Sequence, residues 1–321
     1  MKKAVVALGG NALSLAGGSG SVDEMRHRIK RAVEALWPLT EEGYRLVITH
    51  GNGPQVGAQL LKNDAGQIEY DVPAYPLDVL VADTQGEIGY LIESEWRNRA
   101  AALNRQEEIA TLVTMIEVDE KDPAFRNPVK RVGKTYYDAA EVEHLSRTKA
   151  WQFLEETKRG RKGWRRVVPS PEPLDVVNKA ALQRLSEAGF HLVAGGGGGI
   201  PVTRRNGRLH PVEAVIDKDL ATALIARVLD AELFIILTDV SHVYLHYGTP
   251  RQKPLERISV EDLEKYAGEG HFGNGNMLPK ILAAIRFVRR TGRRALITDF
   301  EGLHKGEGTF IVPPRHDTGG K

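Results

Sequence analysis

The stretch K-A-V-V-A-L-G-G-N at residues 3–11 decides the fold. Lys3 to Leu8 is a short, mostly apolar run of the kind that forms a strand buried on both faces. Gly9-Gly10-Asn11 turns the chain at its end. The pattern then recurs. A strand expected at Arg45 to Thr49 leads into Gly51-Asn52-Gly53, and one at Phe190 to Ala194 leads into five consecutive glycines, Gly195 to Gly199.

Helix-period segments separate these strands. From about Val22 to Glu42 the apolar residues Val22, Met25, Ile29, Val33 and Leu36 recur at helical spacing. Ser21 with Glu24 has the capping-box pattern at its start, and Gly43 suits the left-handed residue past its end. Another helix follows Pro54. Further strands are expected at Glu108 to Ile116, Leu233 to Leu237 and Arg294 to Thr298. Further helices are expected at Asp175 to Ala188, Asp219 to Leu229 and Pro279 to Arg290. Apolar strands alternating with helices predict an α/β fold: an open, mostly parallel sheet sandwiched by helices. Residues from about Asp119 to Pro173 break this rhythm with many charges and five prolines, and read as a small protruding subdomain inserted in a single domain of residues 1–313. Residues 314–321 read as a disordered tail.

The 321 residues carry 44 basic and 42 acidic side chains, without the basic excess of a dedicated nucleic-acid binder. No apolar run approaches the ~18 residues of a membrane span. The apolar stretch after Lys2-Lys3 is too short for a signal peptide. There is no cysteine, so disulfides, thiolate catalysis and zinc–thiolate sites are excluded, and a cytoplasmic protein is expected.

In an open parallel sheet the C-terminal strand ends share one edge, and ligands bind there. Three glycine-rich turns on that edge present backbone N–H groups with no side chains in the way. That geometry suits phosphate and carboxylate oxygens. Neither familiar nucleotide motif is present. Gly133-Lys134-Thr135 resembles the end of a P-loop, but Pro128 stands at its first glycine position. Gly51-Asn52-Gly53 is followed by Gly57, one position too late for a dinucleotide fingerprint.

Lys280 follows Pro279, a residue suited to the first position of a helix, and Asp217-Lys218-Asp219 opens another helix. A cation in a first turn opposes the helix dipole, and becomes favourable when an anion lies between it and the helix end. Two such lysines with an adjacent aspartate fit phosphoryl transfer, which depends on positioning and electrostatics. His50 and His271 read as structural rather than as general bases, since an ionised acceptor needs no proton removed. No cluster with metal-ligand spacing occurs, so magnesium is expected only with the nucleotide phosphates. The basic run from Lys158 to Arg166 around Trp164 reads as a solvated face or part of a lid.

Nine motifs in order carry a family resemblance: VVALGGNAL from Val5, HGNGPQVG from His50, TQGEIGY from Thr84, DEKDPAFRNPVK from Asp119, RRVVPSPEP from Arg165, GGGGIPV from Gly196, VEAVIDKDLA from Val212, ILTDV from Ile236 and GHFGNGNMLPK from Gly270. They run nearly end to end, and the chain resembles the carbamate kinases of the amino-acid kinase superfamily. The resemblance implies an αβα sandwich with a protruding subdomain, a homodimer, and the reaction ATP + carbamate ⇌ ADP + carbamoyl phosphate, often run toward ATP in arginine fermentation. It implies that Lys218 and Lys280 stabilise the transferring group, that Asp219 holds them, and that Lys130 reaches in from the insertion. It implies that Gly9, Gly10, Asn11, Gly51, Asn52 and Gly53 cradle the carbamoyl phosphate end, with Gly196, Gly197 and Gly198 near the transferring group. Thr238, Asp239, Val240, Tyr244 and Met277 would border the nucleotide, with Mg2+ arriving on ATP or ADP. Ser241-His242, Asn276 and Glu87 depart from the usual family residues. Two alternatives stay open at this point: a kinase of the same superfamily for another small acid, and a non-catalytic nucleotide-binding regulator.

Overall fold

A computed structural model describes residues 1–10, 13, 20–158, 160–272 and 277–314. The chain opens with Lys2–Leu8 (β1), Val22–Glu41 (α1), Tyr44–His50 (β2), Gly53–Tyr70 (α2) and Leu77–Ala102 (α3). Ile109–Leu112 (β3), Met115–Val118 (β4), Lys130–Tyr136 (β5), Ala139–Lys149 (α4), Gln152–Lys158 (β6), Arg161–Val168 (β7) and Pro173–Val176 (β8) follow. Next come Lys179–Glu187 (α5), His191–Ala194 (β9), Ile200–Arg205 (β10), Arg208–Pro211 (β11), Lys218–Val228 (α6) and Leu233–Leu237 (β12). The chain closes with Val243–Leu245 (β13), Lys253–Leu255 (β14), Arg257–Ser259 (β15), Val260–Gly268 (α7), Met277–Thr291 (α8), Arg294–Thr298 (β16), Phe300–Lys305 (α9) and Thr309–Val312 (β17).

Eight strands make the main sheet, in the order β15-β17-β16-β12-β1-β2-β9-β3. Every neighbouring pair is parallel except β16 with β17. Alternate residues of the central strands feed opposite layers, as a strand's period of two requires. Ala4, Val6, Leu8, Leu46 and Ile48 join Met25, Ile29, Leu36, Ile88 and Trp96 of α1 and α3 on one face. Val5, Ala7, Val47, Phe234 and Ile236 join Leu224, Ile225, Ile281 and Phe287 of α6 and α8 on the other. Each valine, leucine, isoleucine, methionine or phenylalanine among them contributes on the order of 1.5–3 kcal/mol by leaving water, which is why the central strands carry no alternating polar face.

Ser21 caps α1, its Oγ accepting from Glu24 N–H at 3.3 Å, while Glu24 Oε2 accepts from Gly20 N–H at 3.2 Å. Residues 130–168 hold a separate three-stranded antiparallel sheet, β5-β7-β6, with α4 beside it. Of the tail expected over 314–321, only Pro314 is among the described residues.

Three expectations are corrected. The single strand expected at Glu108 to Ile116 is two strands in different sheets: β3 stays beside β9, while β4 pairs with β10 and β8. The break falls at Thr114, whose N–H donates to Gln85 Oε1 at 2.8 Å and whose carbonyl accepts from Gln85 Nε2 at 3.2 Å. That side chain takes the place of a strand neighbour. The helix expected from Asp175 begins only at Lys179, because Pro173–Val176 pairs antiparallel with β4. The β-branched Val176-Val177 favours the extended form there. Pro279 is not the first residue of its helix but the third of α8 as described, still within the first turn, where a missing N–H breaks no ladder bond.

At the sheet edge opposite the glycine turns, the buried His191 and the half-buried Arg45 and Glu107 form a polar cluster. His191 Nδ1 accepts from Leu46 N–H at 3.0 Å, which leaves the Nε2 proton for Glu107 Oε2 at 3.1 Å. Trp96 packs on the ring, with centroids 4.6 Å apart. Burial pushes the imidazole down to about 4, with Arg45 adding to the fall and Glu107 opposing it. Its folded value lies below its unfolded one, so the stabilisation is complete above about 6.5 and is lost as pH falls toward 4. Unfolding measured in urea between these two pH values should show a loss on the order of 3 kcal/mol from this histidine. The loss should shrink in His191→Asn. A wild-type profile that stays flat from pH 6.5 to 4 contradicts the assignment.

Candidate active site

The register sets Leu8 beside both His50 and Leu237, so the C-terminal ends of β1, β2 and β12 lie on one edge. β9 joins them through Ile48 beside Val193. The turns after these strands knit together: Gly9 N–H donates to Leu237 O at 3.1 Å, and Gly51 N–H to Leu8 O at 3.3 Å. An open cleft of about 410 Å³ lies above them. Its walls bring together Gly9, Gly10, Gly51, Asn52, Gly53, Gly197, Lys130, Lys218, Asp219, Thr238, Asp239 and Lys280 from the expected set.

Asp219 is the hub of the cleft. It is buried, and its two oxygens are shared between Lys218 Nζ at 2.5 Å and Lys280 Nζ at 3.0 Å. α6 and α8 pack side by side, which carries the two lysines to the same carboxylate. Burial alone would raise the Asp219 carboxyl, but the two ammoniums outweigh it and hold it below the ordinary carboxylate range. Burial pushes the Lys218 ammonium below its usual value, Asp219 opposing and Lys280 adding to the fall. Asp217 is the N-cap of α6, accepting from Asp219 N–H at 2.9 Å, and its other oxygen takes Lys130 Nζ at 3.3 Å. Lys130 thus reaches across from β5 to the cap of α6.

Other expected residues stand back from the cleft wall. Gly196 and Gly198 are buried in the turn: a Cβ on Gly196 would meet the His50 ring at 2.4 Å, and one on Gly198 would meet Ile216 O at 2.3 Å. They shape the turn rather than face the opening. Tyr244 Oη lies 3.3 Å from Ser241 Oγ, which also bonds His242 Nδ1 at 3.0 Å. Val240 is half-buried, and Met277 packs against the core beneath α8. Glu87 accepts from Gln59 Nε2 at 3.4 Å. Asn11 and Asn276 lie outside the described residues. The basic run divides: Lys158, Arg161 and Lys162 are exposed, whereas Arg166 is buried and Arg165 lines the cleft.

Residues 2–299 match the profile of the Amino acid kinase family. The chain belongs to that family. It is 45% identical to a carbamate kinase of Pyrococcus horikoshii, over 97% of this chain and 99% of that one. It is 46% identical to a carbamate kinase of Thermococcus kodakarensis, again over 97% and 99%. A solved carbamate kinase from Giardia lamblia bound to AMP-PNP superposes with a TM-score of 0.91 at 38% identity, covering 98% of this chain and 99% of that chain.

A supporting layer behind the cleft was not read from the sequence. Thr84 and Gln85 sit side by side on α3. Asn52 Nδ2 donates to Thr84 Oγ1 at 2.9 Å, which fixes the Gly51–Gly53 turn. Gln85 holds Thr114 by both backbone groups, and Thr114 holds both ends of the five-glycine turn: Gly195 N–H donates to its Oγ1 and Ile200 N–H to its carbonyl, each at 2.9 Å. Gly197 requires glycine, with φ at 66° and a Cβ placed 2.3 Å from Asn52 Nδ2. His50 is wedged under Gly196, and burial pushes it down to about 4, so it is neutral at pH 7. The signal in the sequence was the pair of uncharged polar residues in TQGEIGY, on a helix face that is otherwise apolar and buried.

Thr114→Val keeps the shape of the side chain but leaves Gly195 N–H buried without an acceptor. Denaturant titration should show a loss of about 1–3 kcal/mol, largely restored by Thr114→Ser, which keeps the oxygen. A valine variant as stable as wild type would contradict this clamp.

Proposed function

We propose that this chain catalyses reversible phosphoryl transfer between ATP and carbamate, giving ADP and carbamoyl phosphate. The observation that carries this reading is one buried carboxylate, Asp219, presenting two ammoniums to a glycine-lined cleft at the sheet edge. The similarity to carbamate kinases over nearly the whole chain supports the choice of acceptor.

Carbamate is already ionised, so one of its oxygens attacks the γ-phosphorus directly. The bond to the β–γ bridging oxygen breaks, and ADP leaves with that electron pair. No proton moves. What the protein contributes is position and charge. Lys218 and Lys280 lie against the phosphoryl oxygens in this reading, held in place by Asp219 and strengthened by the low-dielectric surroundings. The N–H groups of the turns after β1, β2 and β9 offer donors with no side chains in the way. Lys130 brings a further cation from the insertion, and Thr238 to Tyr244 with Met277 border the nucleotide. His50, neutral and packed under a glycine, is a spacer and not a base.

Mg2+ supplies charge neutralisation on the nucleotide phosphates when bound. Asp217 and Asp219 are engaged by Lys130 and by the lysine pair, so the fitting ligands are phosphate oxygens and water. The same reading assigns a homodimer, carried by the resemblance, and a cytoplasmic location, expected from the cysteine-free sequence. It assigns a single domain with residues 119–173 as a protruding insertion, a division supported by the separate sheet β5-β7-β6.

ATP formation from ADP, Mg2+ and carbamoyl phosphate tests the assignment. Wild type should turn over rapidly, and Lys280→Ala and Lys218→Ala should lose roughly two or more orders of magnitude in kcat while still folding. Near wild-type turnover in either variant removes that lysine from the mechanism. Turnover with N-acetylglutamate, aspartate or UMP, and none with carbamate, removes carbamate as acceptor.

A further inference from the structure

Two adjacent arginines on β7 meet different surroundings. Arg166 is buried, pairs with Glu213, and lies over the Trp151 ring at 3.9 Å from its centroid. Arg165 lines the cleft instead. Among the described residues the cleft wall carries five cationic side chains, Lys130, Arg131, Arg165, Lys218 and Lys280, against three carboxylates, Asp217, Asp219 and Asp239.

Four of these cations have partners. Lys130 is held by Asp217, and Lys218 and Lys280 by Asp219. Arg131 bonds Glu155 O at 3.4 Å and lies 3.7 Å from Glu156. Among the described residues Arg165 has no ion pair and no side-chain hydrogen bond, and its Nε is sealed from solvent without an acceptor. A half-buried guanidinium beside other cations is unfavourable until an anion joins it. Its backbone is fixed in the middle strand of the inserted sheet, paired with Thr135 on one side and Leu154 on the other. The group is therefore presented from a rigid element.

We propose that Arg165 binds the acceptor, donating its planar fork to the carboxylate of carbamate and to the carbonyl that this carboxylate becomes in carbamoyl phosphate. A guanidinium matches two coplanar oxygens in a way that an ammonium does not. The lysine pair on α6 and α8 then faces the phosphoryl group, and Arg165 faces the small acid from the opposite wall. This assignment deepens the proposed phosphoryl transfer and rests on it.

Steady-state kinetics of Arg165→Gln and Arg165→Lys, with varied carbamoyl phosphate and varied ADP, read the role. Arg165→Gln should raise KM for carbamoyl phosphate by about tenfold or more. Arg165→Lys should recover only part of that loss, and KM for ADP should stay within about twofold in both. A rise in KM for ADP instead, or no change in either constant, overturns the proposal. Equal thermal midpoints of wild type and variants confirm that the fold is intact, and Arg165→Lys covers the case in which the glutamine variant does not fold. Wild type that makes no ATP refutes the carbamate reading by itself. The arginine is then tested by calorimetric binding of phosphonoacetate, a stable molecule with a carboxylate and a phosphonate. Binding that weakens in Arg165→Gln supports the site, and equal binding overturns it.

Discussion

One carboxylate between two ammoniums organises this molecule. Asp219 lies at the start of α6, and its partners come from its own chain neighbour and from α8. Two positive charges and one negative are held with little water, so the cluster is one anion short of balance. Removing the carboxylate would leave two ammoniums repelling each other in a low-dielectric setting, which is far worse than losing an exposed pair. The sheet exists to make this cluster possible. Only a rigid floor, with strand ends level to within a residue, brings two helix N-termini and three turns to one point.

Asp217 adds a mechanical link. One of its oxygens terminates α6 and the other accepts from Lys130 on β5. The inserted sheet is thereby tied to the helix that carries the lysine–aspartate cluster. A second tie runs from Arg166 on β7 to Glu213, four residues before Asp217. Val132 and Val168 of the inserted sheet join Val56, Leu80 and Val215 in a small apolar cluster behind these polar contacts. The insertion is therefore seated on the body by packing as well as by charge.

Much of this was legible in the sequence. The central strands are continuously apolar, so their burial on both faces needed no tertiary knowledge, and Leu233–Leu237 and Arg294–Thr298 fall where periodicity placed them. Lys218 and Lys280 were conspicuous because cations open both helices. What was hidden depends on contacts between distant segments. Nothing local in residues 108–116 says that the chain changes sheets at Thr114; the reason is a glutamine on α3. The helix expected from Asp175 was misjudged because pairing with β4 outweighs local propensity there. Gly196 and Gly198 were expected near the transferring group; that His50 and Ile216 press against them and leave no room for a side chain was not legible. Arg165 and Arg166 were read with their exposed neighbours because charge runs look alike until one knows which strand face turns inward.

The glycine turns have a consequence for how this site can be dissected. Much of the surface offered to ligand is main chain, and a truncation scan has nothing to remove there. Such a scan would report only side chains such as the lysines, their aspartates and Arg165, and would assign them work shared with the peptide groups. At Gly195, Gly197, Gly198 and Gly199 the informative substitution adds an atom instead, because φ is positive at each and a single methyl carbon would collide with a neighbour between 2.3 and 2.5 Å away. The backbone's share in such a site is measured by intrusion, not by deletion.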